Sequence, residues 1–297
     1  MFASTPWATS KIFPSASENP SARRIAAWRS PSAERIAACF WPSATVIAAC
    51  FEPSASVTTA RRVRVILGGT TIADSRAVML MLEKKRLAIY YFPVKHVRLD
   101  LLVPTSYTSP HDGKGLASFY SVKVGDRVAE KAAWRYLQPE RPDLKDYVAF
   151  YWDKMDAWFE EDDEVFVHPR DPYHRVDVLN SSRHVKVIVG GEVVAETTRP
   201  RLLFETGLPT RYYIPKLDVR LDLLTPTNTS TRCPYKGKAS YWTVNVGGKE
   251  FTDIVWGYPA PIPECPKIEN LLCFYDEKID AVYVDGELQA RPVTPWS

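Results

Sequence analysis

Residues 211–242 read RYYIPKLDVRLDLLTPTNTSTRCPYKGKASYW, and residues 89–120 read IYYFPVKHVRLDLLVPTSYTSPHDGKGLASFY. Tyr212-Tyr213 answers Tyr90-Tyr91, and Pro215 answers Pro93. The six letters VRLDLL recur at 97–102 and 219–224, and Lys236-Gly237 answers Lys114-Gly115, every pair 122 positions apart. A constant offset across aromatic, charged and turn residues marks a tandem duplication.

The flanking sequence extends the duplication. Val63, Val65 and Leu67 alternate before Gly68-Gly69, as Val185, Val187 and Val189 do before Gly190-Gly191. Both read as strand, glycine turn, strand. Ser75 is placed to cap a short helix over AVMLMLEKK, with residues 201–205 in the same role in the second copy. In VRLDLL, period-2 alternation puts Val97, Leu99 and Leu101 on one face of a strand and Arg98, Asp100 and Leu102 on the other. Further strands are expected over 116–124, 127–134, 147–152 and 155–159. Trp256 and Tyr258 answer Trp134 and Tyr136 at 122, after which the offset becomes 124, so the loop carrying APIPECPKIEN has gained two residues.

Residues 1–60 are of another kind. Pro-Ser-Ala opens units at Pro20, Pro31, Pro42 and Pro53, eleven residues apart. A proline in each unit prevents a continuous helix, so a low-complexity, disordered leader is expected. An organelle transit peptide is the alternative, since Glu18, Glu34 and Glu52 are its only acids. The expected organisation is leader 1–60, first domain 61–160, a linker 161–183, second domain 184–290 and a tail 291–297. The linker carries HPRDPYHR. Its His168, Arg170, Asp171, His174 and Arg175 are candidates for a clamp between the domains.

Composition fits short strands: 24 prolines and 36 aromatics stand against 13 glycines in 297 residues. A net charge of +3 gives no argument for nucleic acid. No apolar run is long enough to span a bilayer. Five cysteines without a C-x-x-C pair point to neither a disulfide framework nor a zinc site. The expectations are a cytoplasmic protein with no metal and no cofactor, and the sequence leaves its oligomeric state open.

The motif set V-x-V-x-x-G-G, R-Y-Y-I-P, D-V-R-x-D-L-L, C-P-Y-K-G-x-A-S-Y-W and W-x-Y-P resembles the family called domain of unknown function 427, sometimes labelled nucleotidyltransferase-like. The second copy carries all of these motifs and the first carries most. The resemblance implies an all-β protein of two tandem compact β-tent domains, like Mss4-type folds without their zinc cysteines. It supplies no settled activity.

The first copy departs from the motifs at two places: Arg211 becomes Ile89, and Cys233-Pro234-Tyr235 becomes His111-Asp112-Gly113. It therefore reads as the degenerate copy. The candidate ligand residues are Arg211, Tyr213, Arg220, Asp222, Cys233, Lys236, Trp256 and Tyr258. Arg220 and Asp222 would share a strand face, as a surface ion pair or as an anion site. Lys236 would sit in a turn, solvated or presented to a ligand. Cations beside phenols and an indole suit a small anionic or aromatic ligand, with an enzymatic reaction left open. A protein-interaction scaffold is the alternative. Nucleotidyl transfer has only the label: the chain has no G-x-x-x-x-G-K-[ST] loop, and Asp218 and Asp222, four apart on an expected strand, would lie about 13 Å from each other.

Overall fold

Among the described residues the first half of the chain builds eleven strands. They are β1 (Ser54–Thr58), β2 (Val63–Leu67), β3 (Thr70–Ser75), β4 (Met79–Glu83), β5 (Ile89–Pro93), β6 (Leu102–His111), β7 (Gly115–Val124), β8 (Arg127–Tyr136), β9 (Tyr147–Phe150), β10 (Ala157–Glu160) and β11 (Asp163–Val165). Seven form one antiparallel sheet in the order β1-β4-β5-β9-β8-β7-β6, and β11-β10-β2-β3 form a second. The structure is a computed structural model and describes residues 54–83, 86–294 and 297. The leader reading for residues 1–53 lies outside the described residues.

The second half repeats this order with β12 (Val176–Asn180), β13 (Val185–Val189), β14 (Glu192–Thr197), β15 (Arg201–Glu205), β16 (Arg211–Tyr213), β17 (Leu224–Cys233), β18 (Gly237–Val246), β19 (Lys249–Gly257), β20 (Leu272–Phe274), β21 (Ala281–Val284) and β22 (Glu287–Leu288). Here the large sheet is split into β12-β15-β16 and β17-β18-β19-β20. The pieces are joined by a bridge in which Ile214 and Leu272 exchange backbone hydrogen bonds of 2.7 and 2.9 Å. The expected all-β class is what the chain adopts. Its helical elements among the described residues are three-residue 3-10 turns.

The central strands of each large sheet are buried on both faces, and strand alternation divides their side chains between two cores. Tyr90 and Phe92 join Val63, Val65 and Trp158 in the core facing the smaller sheet. Tyr91 points the other way and packs with Phe119, Trp134 and Tyr136. In the second half Ile214 joins Val185 and Val187, while Tyr213 faces Leu203, Tyr241, Trp256 and Tyr258. This second, aromatic face carries the candidate site.

Three expectations are corrected. Within the stretch expected as the AVMLMLEKK helix, Met79–Glu83 is strand β4 while residues 84–85 lie outside the described residues, and residues 201–205 are strand β15. Leu80 packs in one core and Met79 and Met81 in the other, so the run is apolar throughout because it is a central strand covered on both sides. An apolar run of this length carries no period that separates helix from strand. VRLDLL is not a strand either. Leu99–Leu101 and Leu221–Leu223 are 3-10 turns, and a three-residue period turns Leu99 outward, 40% exposed, whereas Val122 two strands on is fully buried. Finally, β1 lies inside the stretch taken as leader and β12 inside the linker, 122 residues apart. Each is the outermost strand of its sheet, paired along β4 or β15, so residues 54–60 and 176–183 belong with the sheets. The two halves form one unit from Pro53 to Ser297.

Candidate functional site

The aromatic face of the second half borders a cavity of about 580 Å³. Tyr213 from β16, Tyr241 from β18, and Trp256 and Tyr258 at the end of β19 form its floor and sides, with Tyr275 after β20 and Tyr235 from the β17–β18 turn. Trp256 and Tyr275 lie 4.4 Å apart, and the Trp256 indole N–H donates to the Tyr213 hydroxyl at 3.3 Å. Burial holds the Tyr213 and Tyr258 hydroxyls well above the ordinary phenol range and pushes Tyr235 up to about 12. The wall therefore presents neutral phenols and one indole.

Two buried ion pairs brace this wall. Lys236 Nζ donates to Glu205 Oε2 at 2.5 Å, and His174 Nε2 donates to the other oxygen at 3.0 Å. Carboxylate oxygens only accept, so His174 carries its proton on Nε2. Its ring stacks on Tyr235 at 4.2 Å, and the Tyr235 hydroxyl accepts the Asp171 backbone N–H at 2.8 Å. Arg211 makes a fork contact to Glu277 at 2.8 and 2.5 Å, lies 3.8 Å from Asp276, and sits 5.5 Å from the Trp256 ring. Burial opposes the Arg211 charge, and the Glu277 hydrogen bonds more than offset it, so its pKa is raised. Glu277 goes down to about 2: burial works against the charge, and the hydrogen bonds from Arg211 and Thr294 outweigh it. Asp276 is pushed up to about 7, by burial first and by Glu277 beside it, with Arg211 working in the opposite direction.

The sequence candidates divide cleanly. Arg211, Tyr213, Cys233, Lys236, Trp256 and Tyr258 all line the cavity. Arg220 and Asp222 do not: Arg220 precedes the 3-10 turn Leu221–Leu223, Asp222 lies within it, and the two pair with each other on the exposed surface, where Arg98 and Asp100 do the same. Asp218 is held by Arg199 and Thr197 instead of facing Asp222. Of the clamp candidates, His168, Asp171 and His174 line the cavity, Arg170 pairs with Glu264 at 2.6 Å, and Arg175 pairs with Asp177 at the surface. The His168 Nδ1 atom faces the Pro169 carbonyl at 2.7 Å, which makes it the protonated nitrogen, and burial lowers the ring's pKa. A second cavity of about 420 Å³ lies beyond this segment and shares Asp171, His174 and Tyr235 with the first. Among the described residues no three His, Cys, Asp or Glu side chains converge as metal ligands would.

In the first half the corresponding positions differ in part. Phe119 stands for Tyr241, His111 for Cys233 and Gly113 for Tyr235. The His111 ring packs on Phe119 and Tyr136, its Nδ1 lies 2.6 Å from the Tyr136 hydroxyl, and Tyr107 lies 5.0 Å from Phe119. The Lys114–Glu83 pair, at 2.6 Å, remains.

A family model described as "Domain of unknown function (DUF427)" matches residues 55–161 and 177–285. The chain belongs to the DUF427 family. A comparison with curated proteins finds no match. The two DUF427 matches begin 122 residues apart, inside β1 and β12, and end 124 apart, just beyond β10 and β21. Each DUF427 copy thus opens with the outermost strand of its large sheet. Among the described residues no helix is long and apolar enough to cross a membrane.

Sequence reasoning passed over Glu205, Glu277, Tyr235, Tyr241 and Tyr275. For Glu205 a signal existed: Glu83 lies 122 residues before it, as Lys114 lies before Lys236. A carboxylate retained along with a lysine at one offset is the mark of a pair.

Proposed function

We propose that the second DUF427 copy binds a small aromatic molecule in the cavity floored by Tyr213, Trp256 and Tyr258. One observation carries this: six aromatic side chains surround about 580 Å³ of open space. A volume of this size suits a ligand of two or three fused or linked rings. The buried charges favour the aromatic over the anionic side of the earlier expectation. Lys236 is matched by Glu205 and Arg211 by Glu277, so an anion placed against either would compete with a carboxylate already in contact. Cys233 is half-buried in the wall, and among the described residues no base is hydrogen-bonded to it, so the reading stops at binding.

The test is a fluorescence titration of the full chain with phenylnaphthylamine, a neutral two-part aromatic that brightens in apolar surroundings. Saturable binding is expected, with a matching rise in melting temperature. Cys233→Trp, which fills the cavity, should abolish both while leaving the unliganded melting temperature close to that of the parent. Dye binding that survives the filled cavity would sink the reading.

A further inference from the structure

The cavity is not built by the second copy alone. Arg86, Leu87 and Ala88, from the hairpin between β4 and β5 of the first copy, line it together with Leu208 from the equivalent hairpin of the second. Arg86 and Leu208 are the same position, 122 residues apart. One copy brings a guanidinium to this wall and the other an isobutyl group.

The interior of the cavity is balanced in charge. Lys236 and His174 share Glu205, and Arg211 is forked on Glu277. Two lining arginines have no such commitment. Arg86 is 60% exposed, and its ion pair is a long contact of 3.9 Å to Glu83, a carboxylate already taken by Lys114 at 2.6 Å. Arg232 is exposed and lies 3.8 Å over the Phe166 ring, with no carboxylate partner among the described residues. Asp171, the remaining acid in the lining besides Glu205, accepts the Tyr173 backbone N–H. The cavity is therefore aromatic and neutral within and cationic where solvent reaches it.

We propose that the ligand is an aromatic acid whose rings enter the tyrosine and tryptophan box while its acid group stays at the exposed edge on Arg86 and Arg232. This rests on the aromatic reading of the cavity given above. It also gives the duplication a use. The first copy serves the second by supplying Arg86, which makes Arg86 a specificity-determining residue carried across the repeat boundary. Guanidinium groups suit the task because they bind oxyanions in a fork geometry and stay charged at any working pH.

The experiment pairs two dyes of the same ring system, neutral phenylnaphthylamine and the acid anilinonaphthalene sulfonate, on the full chain. The parent should prefer the acid by about fivefold, as expected for a partly solvated charge-assisted contact, and added salt should narrow the preference. Arg86→Ala should bring the ratio close to one with phenylnaphthylamine affinity unchanged, Arg232→Ala should reduce it, and Arg86→Lys should retain part of it. If the parent binds both dyes equally, or Arg86→Ala keeps the acid preference, the acid assignment is wrong while the aromatic site stands. If neither dye binds, or both bind Cys233→Trp, the aromatic site itself is wrong and the acid assignment goes with it.

Discussion

Lys236 and Glu205 form a 2.5 Å ion pair with side chains 11% and 6% exposed, and the copy made by Lys114 and Glu83 is 2.6 Å long with side chains 5% and 13% exposed. The pair joins the end of a strand, β15 or β4, to the turn that follows β17 or β6. That link ties the aromatic face to the turn in both halves. Breaking such a pair from one side leaves a buried charge without a counter-ion, which costs about 3–5 kcal/mol. Lys236→Met and Glu205→Gln should each destabilise by that order in urea denaturation. The double variant should lose less than the sum, because it leaves no orphaned charge. Additive losses would mean that the two side chains are solvated independently.

The Arg211 cluster gives stability two opposed pH dependences. Asp276 is raised to about 7, so the folded state holds a proton that the unfolded chain releases near 4. Its contribution is greatest at low pH and is lost as pH rises from about 4 to 7. Glu277 is lowered to about 2. Its contribution is complete above the ordinary glutamate pKa of about 4.3 and is lost as pH falls toward 2. Asp276→Asn should therefore raise the melting temperature more at pH 8 than at pH 5. Glu277→Gln should lower it at pH 7, with the gap closing toward pH 2. The reverse ordering in melting curves recorded across this range would contradict the assignment of charges.

Gly237 follows Lys236 at φ +107°, and a Cβ there would lie 3.3 Å from the Ala260 carbonyl oxygen and the Ile262 nitrogen. Gly115 meets Gln138 and Glu140 in the same way at φ +92°. These glycines are retained because the loop after β19 or β8 closes against the turn, with the Ile262 N–H donating to the Lys236 carbonyl at 3.1 Å. Gly237→Ala should cost about 1–3 kcal/mol, more than an exposed glycine substitution, since it adds steric overlap to backbone strain. Gly248→Ala is the comparison, because it shares a positive φ but has open space around it.

The duplication was legible because fold residues keep their offset, and the all-β class came from the family resemblance that the repeated motifs carry. Beyond that, the sequence misled in physically specific ways. AVMLMLEKK carries no period because both faces of β4 are covered. VRLDLL looks like alternation, but a 3-10 turn directs Leu99 into solvent. The same error moved Arg220 and Asp222 onto an imagined strand face beside the site. Arg211, Cys233 and Lys236 were found by comparing the copies, since each marks a change or a retention along a single line of positions. Glu277 lies beyond the two-residue slip, and Arg86 belongs to the other copy. Neither can be connected to the cavity without knowing how the halves pack. Arg220→Ala should accordingly leave dye binding unchanged and the melting temperature within about 2 °C of the parent. A loss of binding would return that surface to the candidate site.

Tyr235 has no counterpart in the first copy, where Gly113 stands in its place. It lines both cavities, stacks on His174 at 4.2 Å and accepts the Asp171 N–H, so it forms the partition between them. Removing the ring would merge the two spaces and take away one stacking surface, while its half-exposed position keeps it out of the main cores. Tyr235→Ala should weaken phenylnaphthylamine binding by about tenfold, the order expected for one lost aromatic contact of about 0.5–1.5 kcal/mol together with its buried area, and should lower the melting temperature only slightly. Tyr235→Phe keeps the ring and loses only the hydrogen bond to Asp171. It should bind nearly as well as the parent if stacking is what holds the ligand. Equal losses in both variants would show that the hydroxyl, by fixing residues 168–175, is the part that matters.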